Sequence, residues 1–243
     1  MLLGCLSLYA ADNDLITRQI TITLEKAGTL PDRIASSKKN KITNLKIIGE
    51  INGTDLRMIR EMAGSNSNGN STDGKLSVLD LSEAKIVKGG DCYLNNGYDY
   101  TSNDVIGSRA FLGCSGLTSL TLPADITSIG DEAFQGCSGL TSIYVYAEKV
   151  PKIDSNAFKG VDAKKCTVYV PMGTYDDYWL SDFGDYFENI VEFDVTGIDK
   201  TTTSTDVEEV TRYSVNGQRL SAPTKGLNIV KYSDGSVKKV SVQ

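Results

Sequence analysis

The sequence predicts an α/β repeat fold, a solenoid with a short parallel sheet and irregular or helical connections, followed by a small antiparallel β module. The first observation is a segment that recurs 23 residues later, IGSRAFLGCSGLTSL at 106–120 and IGDEAFQGCSGLTSI at 129–143. The second is a change after residue 193, first to a polar linker and then to alternating apolar and polar residues with a period of two. Because one coil cannot bury its own apolar residues, neighbouring coils must stack around a shared core.

A weaker third copy, IDSNAFKGV at 153–161, follows 24 residues after the second and leads into a strand-like segment at 166–171. Within the first coil, alternation predicts that Leu120 points into the core and Thr121 points out of the sheet. Phe111 is expected to fill the opposite side of the same coil. The three copies therefore predict three successive coils that share one interior.

The apolar pattern of these strands also occurs upstream, at 42–47 and 76–81, and predicts two earlier and wider turns. Between them, the pattern predicts a helix that is capped by Thr54 or Asp55 and ends at Gly64. Two segments rich in Gly, Asn, Ser and Asp are predicted to be exposed loops, at 65–74 and 89–103.

An amphipathic segment at 175–193 lies where the solenoid needs a C-terminal cap. Its carboxylates could form a calcium site or a catalytic pair, but they lack EF-hand spacing. Alternation with aromatic residues favours the exposed face of a cap instead. The carboxylates are Asp176, Asp177, Asp182, Asp185 and Glu188, and the aromatic residues are Tyr178, Trp179, Phe183 and Phe187.

The C-terminal module is predicted to span 212–243, after a polar, Thr-rich linker at 194–211. Asn-Gly and Asp-Gly dipeptides between alternating segments are strong hairpin signals. The predicted strands are 212–215, 218–220, 227–232 and 237–242, with turns at Asn216-Gly217 and Asp234-Gly235.

Composition excludes several functions. The chain has no histidine, so Ser-His-Asp triads, Cys-His dyads and His-containing metal sites are absent. Its net charge of −6 carries no basic block, so we expect no nucleic-acid partner. We expect no enzymatic activity, no metal and no cofactor. A glycan hydrolase that works with two carboxylates remains an alternative.

The first residues, at 1–11, are apolar and end in small residues, which indicates the end of a signal peptide. Cleavage after Ala10 would release a soluble protein. Alternatively, Leu2-Leu3-Gly4-Cys5 is similar to a lipobox and would place a lipid anchor on Cys5. No segment approaches the ~20 apolar residues of a membrane span. The expected location is secreted, or the outer surface of a bacterial cell.

The two full copies, with the pattern AF-x-GCSGLTS-L/I, resemble the BspA-like leucine-rich repeats of Bacteroidetes and some other microbes. The resemblance covers roughly Thr21 to Phe193, within a leucine-rich-repeat domain at 12–193 with an N-terminal and a C-terminal cap. It implies an exported surface protein that adheres to host matrix proteins, host cells, glycans or other bacteria. A structural envelope component is a further alternative. The segments YSVNGQR at 213–219 and KGLNIV at 225–230 resemble a C-terminal sorting-type tail, or else form a stabilising accessory module.

The outward residues of successive strands form the candidate partner-binding site. They are predicted to be Lys46, Asp80, Thr121, Tyr144 and Tyr169, with Tyr146 just past its strand. Tyrosine is enriched at protein interfaces, although Tyr144 and Tyr169 could simply stabilise each other as a neighbouring-strand pair. The loop residues Tyr93, Tyr98 and Tyr100 could contact a partner or pack on the scaffold.

Cys114 and Cys137 hold equivalent positions in neighbouring coils, about 5 Å apart. They could form a disulfide, or both could be small buried residues of the core. Cys92 and Cys166 add no metal-binding spacing.

Overall fold

A computed structural model describes residues 15–194, 209–214, 219–232 and 237–242. The chain divides into two compact units, Met1–Val195 and Thr196–Gln243. The predicted signal peptide or lipobox at 1–11 lies outside the described residues, as do the turns at Asn216-Gly217 and Asp234-Gly235.

The strands of the first unit are β1 Ile20–Leu24, β2 Asn44–Ile51, β3 Val78–Ile86, β4 Val105–Ile106, β5 Ser119–Thr121, β6 Ser128–Ile129, β7 Ser142–Tyr144, β8 Lys152–Ile153, β9 Thr167–Pro171 and β10 Asn189–Phe193. The helices are α1 Leu30–Arg33, α2 Ser36–Lys39, α3 Gly53–Met62, α4 Tyr175–Trp179 and α5 Asp182–Tyr186. A seven-stranded sheet has the order β1-β2-β3-β5-β7-β9-β10, with every pair parallel. A three-stranded parallel sheet, β4-β6-β8, closes the coils on another side. The predicted solenoid with a parallel sheet is confirmed.

The coils share one interior. The rings of Phe111, Phe134 and Phe158 form a continuous stack with 5.2 Å between successive centroids and 9° between ring planes. The Phe187 ring lies at the end of this stack, with its centroid 4.9 Å from that of Phe158 and with 73° between the two ring planes. On the sheet side, Leu120 lies directly beside Ile143. Equivalent residues of neighbouring coils therefore fill equivalent places in one core, as the 23-residue spacing predicts.

Backbone hydrogen bonds join each coil to the next. The N–H groups of Arg109, Phe111 and Gly113 donate to carbonyl groups of the second coil, at 2.7 to 2.9 Å. In the same way, the Phe134 N–H donates to a carbonyl of the third coil at 2.7 Å. In this ladder each coil offers carbonyl groups to the coil that precedes it. The first coil, at 106–120, is preceded only by the wider N-terminal turns and not by another 23-residue coil. Its carbonyl groups therefore need other donors.

Arg60, on α3, supplies those donors. Its Nη1 donates to the carbonyl groups of Arg109 and Ala110 at 2.9 and 2.8 Å, and its Nη2 donates to that of Leu112 at 3.1 Å. The Tyr93 hydroxyl donates to the adjacent carbonyl, that of Ser108, at 2.8 Å. Arg60 is fully buried. The N-terminal cap thus ends the ladder with side chains in place of another coil.

Helix α3 starts earlier than predicted. Asn52, and neither Thr54 nor Asp55, is its N-cap, and the Asn52 side chain accepts from the Thr54 N–H at 3.0 Å. Asp55 completes a capping box by accepting from the Asn52 N–H at 2.9 Å. Asp55 also accepts from the Leu30 N–H at 2.9 Å, so the same carboxylate ties α1 to α3.

Gly139 lies where two neighbouring coils approach closely. A Cβ atom there would lie 2.6 Å from the Ser115 carbonyl oxygen and 2.8 Å from that of Leu117. We expect Gly139→Ala to lower the free energy of unfolding by about 1 to 3 kcal/mol, because two backbone segments must move apart. Urea unfolding measures this change. Ser138→Ala, at the exposed neighbouring residue, is the control, and an equal effect of both changes would contradict the close approach.

The two long loops are only partly exposed. Within the segment predicted as the second loop, Tyr93, Leu94, Asp99 and Thr101 are buried, as are Ser65 and Ser67 in the first. The Asp99 carboxylate lies 3.0 Å from Arg109 Nη2, which fastens the second loop to the first coil. The prediction of exposed loops is therefore wrong for the residues that cap this coil.

The C-terminal cap follows its predicted pattern with one exception. All five of its predicted solvent-facing carboxylates are exposed, and Tyr178, Phe183 and Phe187 are buried. Trp179 is 44% exposed, so its predicted place on the buried face is wrong. It lies on the outer side of the short helix α4 and stacks against Tyr175 at 6.1 Å.

The second unit contains β11 Glu209–Ser214, β12 Arg219–Leu220, β13 Gly226–Tyr232 and β14 Val237–Val242, in an antiparallel sheet of order β12-β11-β13-β14. The predicted antiparallel module is present. Strand β11 begins within the segment predicted as linker, so the linker prediction is wrong for 209–211. Arg212 and Asn228 form a buried hydrogen bond, Nη1 to Oδ1, at 3.0 Å.

Candidate binding face

The outward side of the seven-stranded sheet brings the predicted partner-binding residues together. Their register forms one continuous row across the strands. In order, the row is Thr21, Lys46, Asp80, Thr121, Tyr144, Tyr169 and Val191. Tyr146 lies two residues beyond Tyr144, on the same side of the sheet and in the next row. We call the residues from Lys46 to Tyr169, together with Tyr146, the binding face.

Alternation along the strands explains why these side chains face outward. The residue that precedes each of them is apolar and fully buried in the shared core, whereas each of the six is only partly buried. The buried residues are Leu45, Leu79, Leu120, Ile143, Val168 and, before Tyr146, Val145. A shift of one residue in any of these strands would place a charged, threonine or tyrosine side chain in the core, so the core fixes the face.

One end of the binding face is charged. The Lys46 ammonium lies 2.7 Å from Glu83 Oε1 and 3.5 Å from Asp80 Oδ2. The hydrogen bond to Glu83, followed by the charge of Asp80, raises the pKa of Lys46 above its usual value. Glu83 reaches this position because the register between β2 and β3 shifts after Lys46, which places Glu83 opposite Ile48.

The other end of the binding face is aromatic. The rings of Tyr144 and Tyr169 stack with centroids 4.4 Å apart and 8° between planes. Phe193 meets Tyr144 and Tyr146 nearly at right angles, at 5.7 and 5.1 Å. Partial burial raises the pKa of both Tyr144 and Tyr146, and the Asp80 carboxylate raises that of Tyr146 further. The hydroxyls therefore stay protonated and can donate hydrogen bonds.

Sequence reasoning did not identify Glu83 and Phe193 as members of this surface. The position of Glu83 depends on the register shift in β3, which has no clear sequence signature. Phe193 was assigned to the cap as its last residue. Its place in β10, directly opposite Pro171 of β9, shows that the cap segment ends as a strand of the same sheet. The strand-like alternation of 189–193 could have indicated this.

The three loop tyrosines differ in how deeply they are buried. Tyr93 is buried and serves the N-terminal cap, so for this residue the packing interpretation is correct. Tyr98 and Tyr100 are 85% and 51% exposed.

The three buried cysteines of the described residues are not poised as nucleophiles. Cys92, Cys114, Cys137 and Cys166 are free thiols, and the last three are buried. Burial raises the pKa of both Cys114 and Cys166 to about 12 and that of Cys137 well above its usual value. Cys114 and Cys137 therefore behave as small core residues, as one of the two interpretations proposed.

Among the described residues, no group of three or more Cys, Asp or Glu side chains is placed to hold a metal ion. Nor does any helix within the described ranges have the length and apolarity to cross a membrane. Asp80 and Glu83 approach each other on the binding face, but both carboxylates face Lys46 on the outside of a sheet. The arrangement offers hydrogen bonds, charge and aromatic area to a partner.

The fold and this face define a solenoid repeat protein with one exposed parallel-sheet surface. A family model described as "BspA type Leucine rich repeat region" matches residues 99–215, in six copies. This match covers slightly less than half of the chain and includes the coils that carry Thr121, Tyr144 and Tyr169. No curated protein matches the chain.

Proposed function

We propose that this chain is an exported cell-surface protein of the Bacteroidetes type that binds host matrix proteins, host cells or glycans through the binding face and its neighbouring loops. The observation that carries the proposal is the row of charged and tyrosine side chains held side by side on an exposed sheet. A BspA-type repeat region is consistent with such a surface protein-binding role. Aromatic side chains contribute much of the binding energy at interfaces, which supports the tyrosines as the main contacts.

The proposal is tested by screening the purified protein on an array of matrix proteins and glycans, with and without Tyr144→Ala/Tyr169→Ala. We expect the double change to weaken binding by at least about tenfold, since two interface aromatics are removed. Tyr175→Ala, which removes a partly exposed tyrosine from the C-terminal cap, is the matched control. Equal binding by the double variant and the unchanged protein would reject the binding face.

The fold of the double variant is checked by urea unfolding. The stacked pair stabilises neighbouring strands by only about 0.2 to 1 kcal/mol, so the core should stay intact. If no protein or glycan on the array binds, while the chain associates with itself, a structural envelope component becomes the better proposal.

We also propose that the chain leaves the cell either as a released protein or with a lipid on Cys5, and that the C-terminal strands act in sorting. Cys5→Ser distinguishes the two forms of export when the full gene product is fractionated from its host. A lipid anchor predicts loss of membrane association in this variant. Removal of 212–243 should cause intracellular retention if the module is a sorting signal.

A further inference from the structure

Because Thr121 has the shortest side chain of the binding face, we expect a gap at its position. Thr121 lies between Asp80 on one neighbouring strand and Tyr144 on the other, and its side chain is much shorter than that of Tyr144. Asp80 and Tyr144 are separated by two strand spacings, about 9.6 Å. We call this gap, bounded by Asp80, Thr121 and Tyr144, the Thr121 notch.

Tyr144 forms the aromatic wall of the notch. Its ring stacks on Tyr169 of the next strand, almost parallel to it, so the ring planes follow one another from strand to strand. One face of the Tyr144 ring is thus covered by Tyr169. The other face is turned toward β5, where the register partner is the short Thr121. A cationic group of the ligand can contact this second face.

Asp80 forms the opposite wall, and its carboxylate is only partly satisfied. Oδ1 accepts from the Ser82 N–H at 2.9 Å, while Oδ2 has the Lys46 ammonium at 3.5 Å. That ammonium is closer to Glu83, at 2.7 Å, so Lys46 neutralises Glu83 before Asp80. Strong charged hydrogen bonds have lengths of about 2.7 to 2.9 Å, which leaves Oδ2 able to accept from a further cation.

The surrounding charge also favours a cation. The charged residues on the outward side of β2 and β3 are Lys46, Glu50, Asp80, Glu83 and Lys85, with Glu50 opposite Lys85 in the register. This set has one more carboxylate than ammonium groups. The chain as a whole has a net charge of −6, which attracts basic partners at long range.

From these observations we infer that the Thr121 notch binds an arginine side chain of a partner protein, an inference that rests on the proposed function. A guanidinium is planar, stacks on aromatic rings at about 3.5 to 4 Å and presents a fork of N–H donors to a carboxylate. A guanidinium that stands on edge above Thr121 can direct the N–H groups of one edge at the Tyr144 ring and donate from the other edge to Asp80 Oδ2. A sugar ring could use the same uncovered face of Tyr144, but it carries no charge to pair with the Asp80 carboxylate.

The test uses two short glycine-serine peptides, one with a single central arginine and one with citrulline at that position. Citrulline keeps the planar shape but removes the charge. Each peptide is titrated into the full ¹⁵N-labelled protein, and the amide resonances of β3, β5 and β7 are followed. We expect saturable shifts with the arginine peptide and at least about fivefold weaker binding of the citrulline peptide.

Asp80→Asn should weaken binding of the arginine peptide about tenfold, since it removes the charge and keeps the shape and the Ser82 hydrogen bond. Asp125→Asn removes the same charge from an exposed loop residue and should leave binding unchanged. Equal affinity for the two peptides, or equal affinity of Asp80→Asn and the unchanged protein, would overturn the inference. Shifts confined to residues outside β3, β5 and β7 would do the same.

Failure of this inference can be told apart from failure of the proposed function. Suppose that a partner from the array loses binding to Tyr144→Ala/Tyr169→Ala but not to Asp80→Asn. The binding face would then stand, and arginine recognition in the notch would be wrong. Selective binding of glycans at the notch would also overturn the arginine inference.

Discussion

Replacing Arg60 with alanine is expected to lower the free energy of unfolding by about 3 to 5 kcal/mol. The change removes the Arg60 donors from the carbonyl groups of Ala110 and Leu112 in a buried place, whereas the Arg109 carbonyl still accepts from the Leu112 N–H, and it opens a cavity beside α3. Urea unfolding followed by tryptophan fluorescence measures the effect. Trp179 is the only tryptophan of the chain and belongs to the repeat unit, so the signal reports on that unit alone.

Arg57→Ala is the matched control for Arg60, because it removes the same side chain from the same helix. Arg57 is partly exposed and donates to Ser67 and Asn95, each at 3.1 Å. Its loss should cost about 1 kcal/mol or less. Arg60→Lys should recover only part of the stability, since an ammonium cannot reproduce the fork of donors. Equal costs for Arg57→Ala and Arg60→Ala would show that the carbonyl groups of the first coil do not depend on Arg60.

Phe134→Ala is expected to destabilise the repeat unit by about 3 to 5 kcal/mol. Phe134 is fully buried at the centre of the ring stack, with Phe111 on one side and Phe158 on the other, each at 5.2 Å. Alanine leaves a cavity that the hydrogen-bonded coils cannot close. The measurement is again urea unfolding, followed through Trp179.

Two comparison variants separate a stacked core from general loss of apolar area. Phe134→Leu keeps most of the volume and should cost about 1 to 2 kcal/mol. Phe193→Ala removes the same ring from the partly exposed outer side of the sheet and should cost less than Phe134→Ala. If both phenylalanine-to-alanine changes cost the same, the ring stack is not the common support of the coils.

The coil stack could be predicted from the sequence because a fixed spacing places equivalent residues side by side. Leu120 and Ile143 are 23 residues apart in the chain and are direct neighbours in the sheet, and the same holds for Thr121 and Tyr144. The neighbouring positions of Thr121 and Tyr144 therefore follow from the repeat spacing, whereas the other members of the outward row follow from the apolar pattern of their strands. The antiparallel module was predictable for a similar reason, since its hairpin signals are local.

The end of the first coil could not be predicted in this way. Arg60 meets Ala110 across 50 residues of chain, and nothing in the local sequence of either residue indicates the contact. From sequence alone, an arginine on an amphipathic helix is expected to lie on the solvent-exposed face. Its burial could be predicted only if the carbonyl groups next to it were already known. The approach of Glu83 to Lys46 was missed for a related reason, because it depends on the register shift between β2 and β3.

The N-terminal cap also limits how a protein of this kind can change its length. Arg60 and Tyr93 occupy the carbonyl groups to which an additional preceding coil would have to bond. Duplication of a 23-residue unit can therefore lengthen the array only between the first coil and the C-terminal cap. Each unit gained there would widen the outer surface by one strand, about 4.8 Å, and leave both ends as they are.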